Sequence, residues 1–331
     1  MIDLHIHSDC SDGTDDYKTI LQKAEKIGLE YISITDHDNC KVYELMETDN
    51  ITKYYSGKLI TGIEMQAYIN GFSIELLGYC IDYKKLNNAI KGLYIPFEKI
   101  NKEELKRLYI RCIEIGMKFE NNILENYKNS GYYYATEYLH NEMKKSIYNK
   151  QFIPDNESWE KESVFFKRHT SNINSKFYID ESDLIPSVET VIEVIKNTGG
   201  LVFIPHIYQY EENANIILEE LIINHEIDGI ECFYSTFTKE QTQYLLQFCK
   251  TNNKYISGGT DYHGNNRPNI EMGKGLGNLN IEYNIVKDWI CKWEKYFKNV
   301  FSTNYTISLT FALCDFILAA NLVIFDFSCV L

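Results

Sequence analysis

The chain is poor in positive charge for its length. Its 331 residues include 33 Lys and Arg against 47 Asp and Glu, which gives a formal net charge of −14 at pH 7. A broad nucleic-acid surface needs clustered Lys and Arg to contact phosphates, so the composition argues against a stable nucleic-acid complex. It leaves room for a small phosphorylated ligand, because bound cations can make one site positive in an acidic protein.

The chain also lacks the cysteine pairs that would indicate disulfides or a zinc ribbon. Its nine cysteines are scattered without a CxxC pair, and their number is odd. Met1 runs directly into a histidine-rich stretch, without the basic, apolar and small-residue regions of a signal peptide. We therefore expect free thiols and a cytoplasmic location.

Long apolar runs are scarce, and one stands out at the C-terminal end. It covers 307–331 within the tail 301–331, and Asp315, Asn321 and Asp326 interrupt it. Its length suits a membrane span, but each aspartate would cost about 3 kcal/mol at the middle of a bilayer. A helix packed on the domain, a membrane anchor and a segment foreign to the domain all stay open.

Short apolar runs alternate with helical patterns over most of the remaining length, and this alternation predicts a parallel α/β sheet or barrel. The predicted strands are Ile2–His5, Tyr31–Thr35, Leu59–Ile63, Leu201–Pro205, Gly229–Phe233 and Tyr255–Gly258. The predicted helices between them are Thr19–Ile27, Val188–Asn197 and Lys239–Lys250. Barrels of this class carry their chemistry at the carboxyl ends of the strands.

The middle of the chain, residues 84–183, has a different composition, rich in Lys, Glu, Asn and Tyr with helical periodicity. We interpret it as a mainly helical insertion that caps a barrel formed by residues 1–83 and 184–300. Its tyrosines either pack in the insertion or stack on a base of the substrate. These tyrosines are Tyr132, Tyr133, Tyr134 and Tyr138.

Histidines and acids gather at the ends of the predicted strands, although the chain has only eight histidines. His5 and His7 are one residue apart on a strand, so their side chains point to the same side. Burying so many polar groups without a metal ion would be costly, so the pattern predicts a metal cluster. Its candidate ligands are His5, His7, Asp12, His37, Glu64, His206, Asp261 and His263.

Six stretches of the sequence carry a resemblance to a known protein family and occur in the order found there. They are DLHIHSDCSDGT, ISITDHD, TGIEM, GGLVFIPH, IDGIECFYS and SGGTDYHG. In them the chain resembles the PHP (polymerase and histidinol phosphatase) family, specifically its stand-alone phosphoesterase branch. The resemblance covers residues 1–83 and 186–264 well and the insertion loosely. It implies an α/β fold, a distorted (β/α)7 barrel with two or three divalent metal ions at its carboxyl-terminal face.

The same resemblance assigns the ligands to three ions. One ion takes His5, His7, Glu64 and Asp261, and a second takes Asp12, His37 and His263. A third shares Glu64 and uses His206. Imidazoles mixed with carboxylates suit Mn²⁺, Zn²⁺ or Fe²⁺ better than Ca²⁺.

The chain departs from the family pattern at two places. Glu75 stands where the family commonly has a histidine ligand, and we interpret it as a ligand, with a solvated carboxylate as the alternative. After His206 the family often has an arginine that contacts phosphate, whereas this chain continues Ile-Tyr-Gln-Tyr. The run at Arg168 and His169 resembles a substrate-facing Arg-Pro-His motif, so both residues are candidate phosphate ligands, or else a solvated pair.

These features predict hydrolysis of a phosphomonoester or short phosphodiester by metal-activated water, with a small phosphorylated substrate such as a nucleotide or short oligonucleotide. Asp38 is the candidate catalytic acid or base, or alternatively fixes the tautomer of His37. One alternative is a 5′-3′ exonuclease that grips a short strand through the insertion. The residues of that grip would be Lys144, Lys145, Tyr148 and Lys150. Another alternative is a non-catalytic, metal-stabilised protein.

Overall fold

The computed structural model describes residues 1–120, 122–129 and 134–290. The chain divides into two compact units, residues 1–283 and 284–331. Tyr132, Tyr133 and the apolar tail 301–331 lie outside the described residues. Within the described ranges, no helix combines the length and apolar character needed to cross a bilayer.

One seven-stranded sheet runs through the first unit in the order β1 to β7 along the chain. Neighbouring strands pair in parallel, except that β4 is antiparallel to both β3 and β5. The strands are β1 Ile2–Ile6, β2 Tyr31–Ile34, β3 Lys58–Ile69, β4 Phe72–Tyr79, β5 Leu201–Ile204, β6 Gly229–Phe233 and β7 Tyr255–Gly258.

The two edge strands of this sheet come close enough to nearly close a barrel. The backbone N–H of His7 donates to the carbonyl of Tyr262 at 2.9 Å, and that of Asp261 donates to the carbonyl of His5 at 2.8 Å. A side chain at Gly259 would collide with His5, since its Cβ would lie 2.3 Å from the Cβ of His5. The predicted distorted (β/α)7 barrel with a helical insertion is confirmed.

Strand β4 is absent from the predicted strands, and it is the strand that distorts the barrel. It follows β3 through the two-residue loop Asn70-Gly71, and both residues have positive φ, 47° and 92°. This is the geometry of the tight turn that Asn-Gly favours in hairpins. The antiparallel hairpin β3–β4 lies in the sheet where a strand-helix-strand unit would otherwise continue the parallel pattern.

Helices join the strands and cover the outside of the sheet. Several begin at a capping side chain: Asp16 accepts the N–H of Thr19, and Ser187 accepts that of Thr190. The helices are α1 Tyr17–Ile27, α2 Lys41–Met46, α3 Tyr83–Ile90, α4 Phe97–Ile115, α5 Ile123–Asn126, α6 Ala135–Lys144, α7 Asn156–Glu160, α8 Glu162–Phe165, α9 Val188–Asn197, α10 Ala214–Asn224 and α11 Lys239–Asn252.

The helices from α4 to α8 build a second apolar core that is separate from the barrel core. Leu108, Cys112, Leu139 and Phe165 are fully buried within it. A π-helical turn, Phe166–Thr170, follows α8 directly. This turn brings the residues after Phe165 toward the carboxyl-terminal face of the barrel.

Candidate metal centre

The two histidines at the end of β1 are fully buried, and both face the inside of the barrel. The Nε2 atoms of His5 and His7 each lie 3.1 Å from the same oxygen of Glu64, Oε2. The Nε2 of His7 is also 3.2 Å from Oδ1 of Asp261. Donor atoms that share one ion lie about 3 Å apart, because each lies about 2 Å from the metal.

His7 supplies a direct test of whether these residues fit a metal. Both of its ring nitrogens are buried and neither makes a hydrogen bond to another described residue, although carboxylate oxygens lie near Nε2. Buried polar atoms are rarely left without a partner unless another ligand satisfies them. The donor set therefore fits a group of divalent ions held by imidazole and carboxylate ligands.

A second group of donors surrounds Asp12 at the turn after β1. Its Oδ1 lies 3.2 Å from Nε2 of His263, 3.6 Å from Nδ1 of His7 and 3.8 Å from Nε2 of His37. One donor atom from each of these residues falls within 4.8 Å of the others. The resemblance assigned Asp12, His37 and His263 to one ion, and the structure adds the second ring nitrogen of His7 to that group.

A third group forms around Glu64 and Glu75. The Nε2 of His206 lies 2.8 Å from Oε1 of Glu64 and 3.4 Å from Oε2 of Glu75. His37 approaches the same two carboxylates at 3.5 and 3.6 Å through Nδ1. Glu75 is held in place because its backbone N–H donates to the hydroxyl of Tyr210 at 2.9 Å. The structure thus brings all nine candidate ligands to one place.

The charges in this cluster support one another in the metal-free chain. Burial disfavours charge on His7, yet the carboxylates of Asp261 and Glu64 raise its pKa to about 10. Burial acts against the charge on Glu64 as well, but the charges of His5 and His37 hold its pKa well below the usual range. The histidines are protonated in the metal-free chain, and binding of divalent ions would release these protons.

Glu231 contacts two of the candidate ligands, His5 and His206, and was not singled out from the sequence. It is fully buried on β6, with Oε1 3.0 Å from Nδ1 of His5, and its Oε2 accepts the backbone N–H of His206 at 2.8 Å. Such a carboxylate fixes the tautomer and orientation of a metal-binding histidine. The signal in the sequence was a lone glutamate inside the apolar run Gly229–Phe233.

Asp261 is oriented by two donors that bind the same oxygen. The hydroxyl of Tyr234 donates to Oδ2 at 2.7 Å, and Nη1 of Arg267 donates to Oδ2 as well. The other oxygen, Oδ1, faces the three histidines His5, His7 and His263. Asp261 therefore presents one oxygen to the cluster and keeps the other engaged with protein.

Asp38 lies beside the cluster rather than in it. Its Oδ1 accepts the backbone N–H of Gln66 at 2.9 Å, and burial raises its pKa to about 6. It lines a cleft of about 340 Å³ together with Asp12, His37 and Glu75. The wall of this cleft on the side of the insertion includes Ile100, Glu104 and Phe166.

Arg168 and His169 are not brought to the cluster. The guanidinium of Arg168 binds three carboxylates, those of Asp155, Glu157 and Glu211, at distances from 2.7 to 3.3 Å. His169 lies in the core of the insertion, where its Nε2 is 3.1 Å from Oγ of Ser158 and its ring approaches Phe165 and Phe177. His169 therefore packs within the insertion, and Arg168 joins the insertion to Glu211 of the barrel part.

The fold and the donor cluster define a metal-binding α/β barrel, and comparison with known proteins gives its family. The family model for the PHP domain matches residues 3–183, more than half of the chain. The chain belongs to the PHP domain family.

Two named relatives align with this chain over very different lengths. A 5′-3′ exoribonuclease of Haemophilus influenzae is 27% identical over 299 residues, which cover 89% of this chain and 98% of that protein. A phosphoribosyl 1,2-cyclic phosphate 1,2-diphosphodiesterase of Eggerthella lenta is 30% identical over 82 residues, 24% of this chain and 30% of that protein.

Solved structures share the fold at low sequence identity. A protein of Bifidobacterium adolescentis described as a metal-dependent phosphoesterase aligns with a TM-score of 0.57 and 22% identity, over 88% of this chain and 95% of that one. An amidohydrolase of Chromobacterium violaceum aligns with a TM-score of 0.59 and 17% identity, over 89% and 96%. These likenesses establish the architecture.

Proposed function

We propose that this chain is a hydrolase that cleaves phosphate ester bonds with the help of two or three divalent metal ions. The observation that carries the proposal is the convergence of eight imidazole and carboxylate residues in three overlapping groups, with Glu64 contributing to two of them and His206 lying beside Glu64. Ions held there would supply an activated water and neutralise charge on a phosphoryl group during in-line displacement. Membership of the PHP family and the relatives named for phosphodiester cleavage support this reaction class.

Two or three ions would be held by the residues whose distances are given above. His5, His7, Glu64 and Asp261 form one group, and His7, Asp12, His37 and His263 form another. Glu75 completes a third with His37 and Glu64. Imidazole-rich sites with carboxylates select Mn²⁺, Zn²⁺ or Fe²⁺, so we propose one of these three as the resident metal.

Asp38 is the residue that we propose to exchange a proton with the reacting groups. It lies in the cleft that opens from the metal groups, and burial raises its pKa to about 6. A carboxyl group with a pKa in this range can give up or accept a proton near neutral pH. The hydrogen bond from the backbone N–H of Gln66 to Oδ1 holds the carboxyl group in this cleft.

The substrate that we propose is a small phosphorylated molecule, and a short oligoribonucleotide is the second candidate. The observation in favour of the second is the relative named as a 5′-3′ exoribonuclease, because its similarity extends over 98% of its length and includes the insertion. Among its described residues, the insertion shows no basic stripe. Lys144 and Lys145 are paired with Glu160 and Glu142, and Lys150 donates to Asn156.

The test is hydrolysis by purified chain loaded with Mn²⁺, measured as release of phosphate from mononucleotides and of mononucleotides from short RNA. We expect turnover with at least one of these substrates and a loss of at least about 10³-fold in His7→Ala, because that variant removes a donor common to two groups. The matched control is His225→Ala, whose histidine lies near Glu189 and Glu220 and outside the cluster. Unchanged turnover in His7→Ala would contradict the assignment.

A further inference from the structure

A cleft of about 470 Å³ opens beside the metal groups, lined by residues of three separate segments. Lys167 comes from the insertion, Gln209 from the turn after β5, and Arg267 from the loop after β7. Tyr208 and Tyr234 form part of its wall. No residue of this cleft was singled out as a binding residue from the sequence.

Lys167 is a half-buried cation without an acidic partner. Its Nζ donates to the amide oxygen of Gln209 at 2.5 Å, and no carboxylate of the described residues lies within 4.0 Å of it. Its neighbour Arg168, in contrast, is bound by three carboxylates. Glu211, which also lines this cleft, is one of the three carboxylates that bind Arg168. A partly buried charge without a counter-ion is costly, so this position favours an anionic ligand.

Arg267 extends the positive charge from this cleft to the metal groups. Its Nη1 donates to Oδ2 of Asp261, while Nε and Nη2 make no hydrogen bond to another described residue. Arg267 lines the cleft with Lys167 and also an adjoining one of about 540 Å³, which contains Asp12 and His263. Ions bound at Asp261 and Glu75 would neutralise the nearest acids, which would leave Lys167 and Arg267 with excess positive charge.

We propose that Lys167 and Arg267 form an anion-binding subsite for a phosphate group of the substrate other than the one that is hydrolysed. This inference rests on the proposed function and deepens it. The subsite makes the substrate a molecule with at least two phosphate groups, such as a short oligonucleotide. Lys167 and Arg267 also supply the positive charge that is missing from the run after His206.

A chain of hydrogen bonds connects Lys167 to the candidate ligand Asp261. Lys167 donates to Gln209, the amide of Gln209 donates to the hydroxyl of Tyr234, and Tyr234 donates to Asp261. Two side chains therefore lie between the ammonium group and Asp261 along this hydrogen-bond chain, and we place the phosphate at Lys167 beside the reacting one.

The test uses three trinucleotides of one sequence with Mn²⁺-loaded chain. The first carries a 5′-phosphate, the second a 5′-hydroxyl, and the third a neutral methylphosphonate in place of the phosphodiester that follows the cleaved one. For wild-type chain we expect kcat/KM to fall about tenfold or more for the second or the third substrate, since a charge-assisted contact is lost. A lower kcat/KM for the 5′-hydroxyl substrate would identify the terminal phosphate as the group bound at the subsite. A lower kcat/KM for the methylphosphonate would identify the next phosphodiester instead.

In Lys167→Gln and Lys167→Met we expect this discrimination to shrink to less than about threefold, because the anion no longer meets a cation. Lys161→Gln is the control: this exposed lysine pairs with Glu157 on the same insertion, and its variant keeps the wild-type ratio. Equal kcat/KM for all three substrates in wild-type chain, or unchanged discrimination in both Lys167 variants, would overturn the subsite. Absence of any phosphate ester hydrolysis by metal-loaded wild type would instead overturn the proposed function.

Discussion

At the scale of single residues, the candidate site consists of the proposed metal ligands and of the groups that orient them. Glu231 is the clearest of the second kind, because it joins Nδ1 of His5 to the backbone N–H of His206. Tyr234 and Arg267 do the same for Asp261. A histidine held in this way presents its other nitrogen to the ion with its tautomer already set.

We expect Glu231→Gln to weaken metal binding by about 10- to 100-fold and Glu231→Ala to weaken it at least as much, because the orientation of His5 is lost. Titration of metal-free chain with Mn²⁺ in a calorimeter measures the change. Glu226→Gln is the matched control, since this exposed glutamate precedes the same strand. Equal affinities for Glu231→Gln and wild type would contradict an orienting role.

The histidines also connect pH to the stability of the metal-free chain. Burial opposes the charge on His7, but Asp261 and Glu64 raise its folded-state pKa to about 10, above the ordinary histidine value of 6.5. The charged histidine therefore stabilises the fold fully below pH 6.5, and this contribution is lost as the pH rises through about 10.

Urea unfolding of chain treated with a chelator should therefore show a falling free energy of unfolding between pH 7 and 10. Metal-loaded chain should show a smaller fall, because its ligand histidines are neutral at both pH values. An identical pH dependence with and without metal would contradict the charged state of the empty cluster.

The candidate ligands are recognisable in the sequence because most of them lie at the ends of the predicted apolar strands and belong to a dense His and Asp pattern. The sequence does not separate Lys167 from Arg168, since adjacent residues on a helical turn point in different directions. Arg168 binds the carboxylates of Asp155, Glu157 and Glu211, so its charge is neutralised within the protein. Only the folded chain shows which of the two cations faces the site.

At the scale of elements, the hairpin β3–β4 determines where Glu64 and Glu75 meet. Glu64 pairs with Leu77 across the two strands, so Glu75 lies further toward the turn and close to Glu64. The alternation of apolar runs with helices did not predict β4, because the run Phe72–Tyr79 follows β3 without a helix. The Asn-Gly pair at 70–71 was the local signal for this strand.

The turn of this hairpin offers a test of the geometry. Gly71 has φ of 92°, and a Cβ there would lie 2.7 Å from Cδ1 of Ile173 in the insertion. We expect Gly71→Ala to lower the free energy of unfolding by about 1–3 kcal/mol, from the left-handed backbone and from this contact.

Gly92→Ala is the matched control, because Gly92 has φ of 81° with no atom within 4 Å of an added Cβ. It should be destabilised only by the backbone term, about 1 kcal/mol, in the same urea titration. If both variants lose the same amount, Ile173 does not pack over the turn as described.

At the scale of the whole molecule, the barrel supplies the candidate ligands and the insertion supplies walls of the clefts around them. Phe166 and Lys167 reach these clefts from the π-helical turn, whereas Phe165 anchors that turn in the second core. The barrel part was predictable because its motifs are local and regularly spaced. The contribution of the insertion was not, since it depends on packing between helices without such motifs.

The central claim is that one cluster of imidazoles and carboxylates holds several divalent ions. Inductively coupled plasma mass spectrometry on purified chain, beside Glu64→Ala, tests it most directly. Glu64 approaches His5, His7, His37 and His206, so its loss affects two of the three groups. Two or three equivalents of Mn, Zn or Fe in wild type, reduced by at least one in the variant, is the expected result. A chain that carries no divalent transition metal and takes up none on titration would contradict the account.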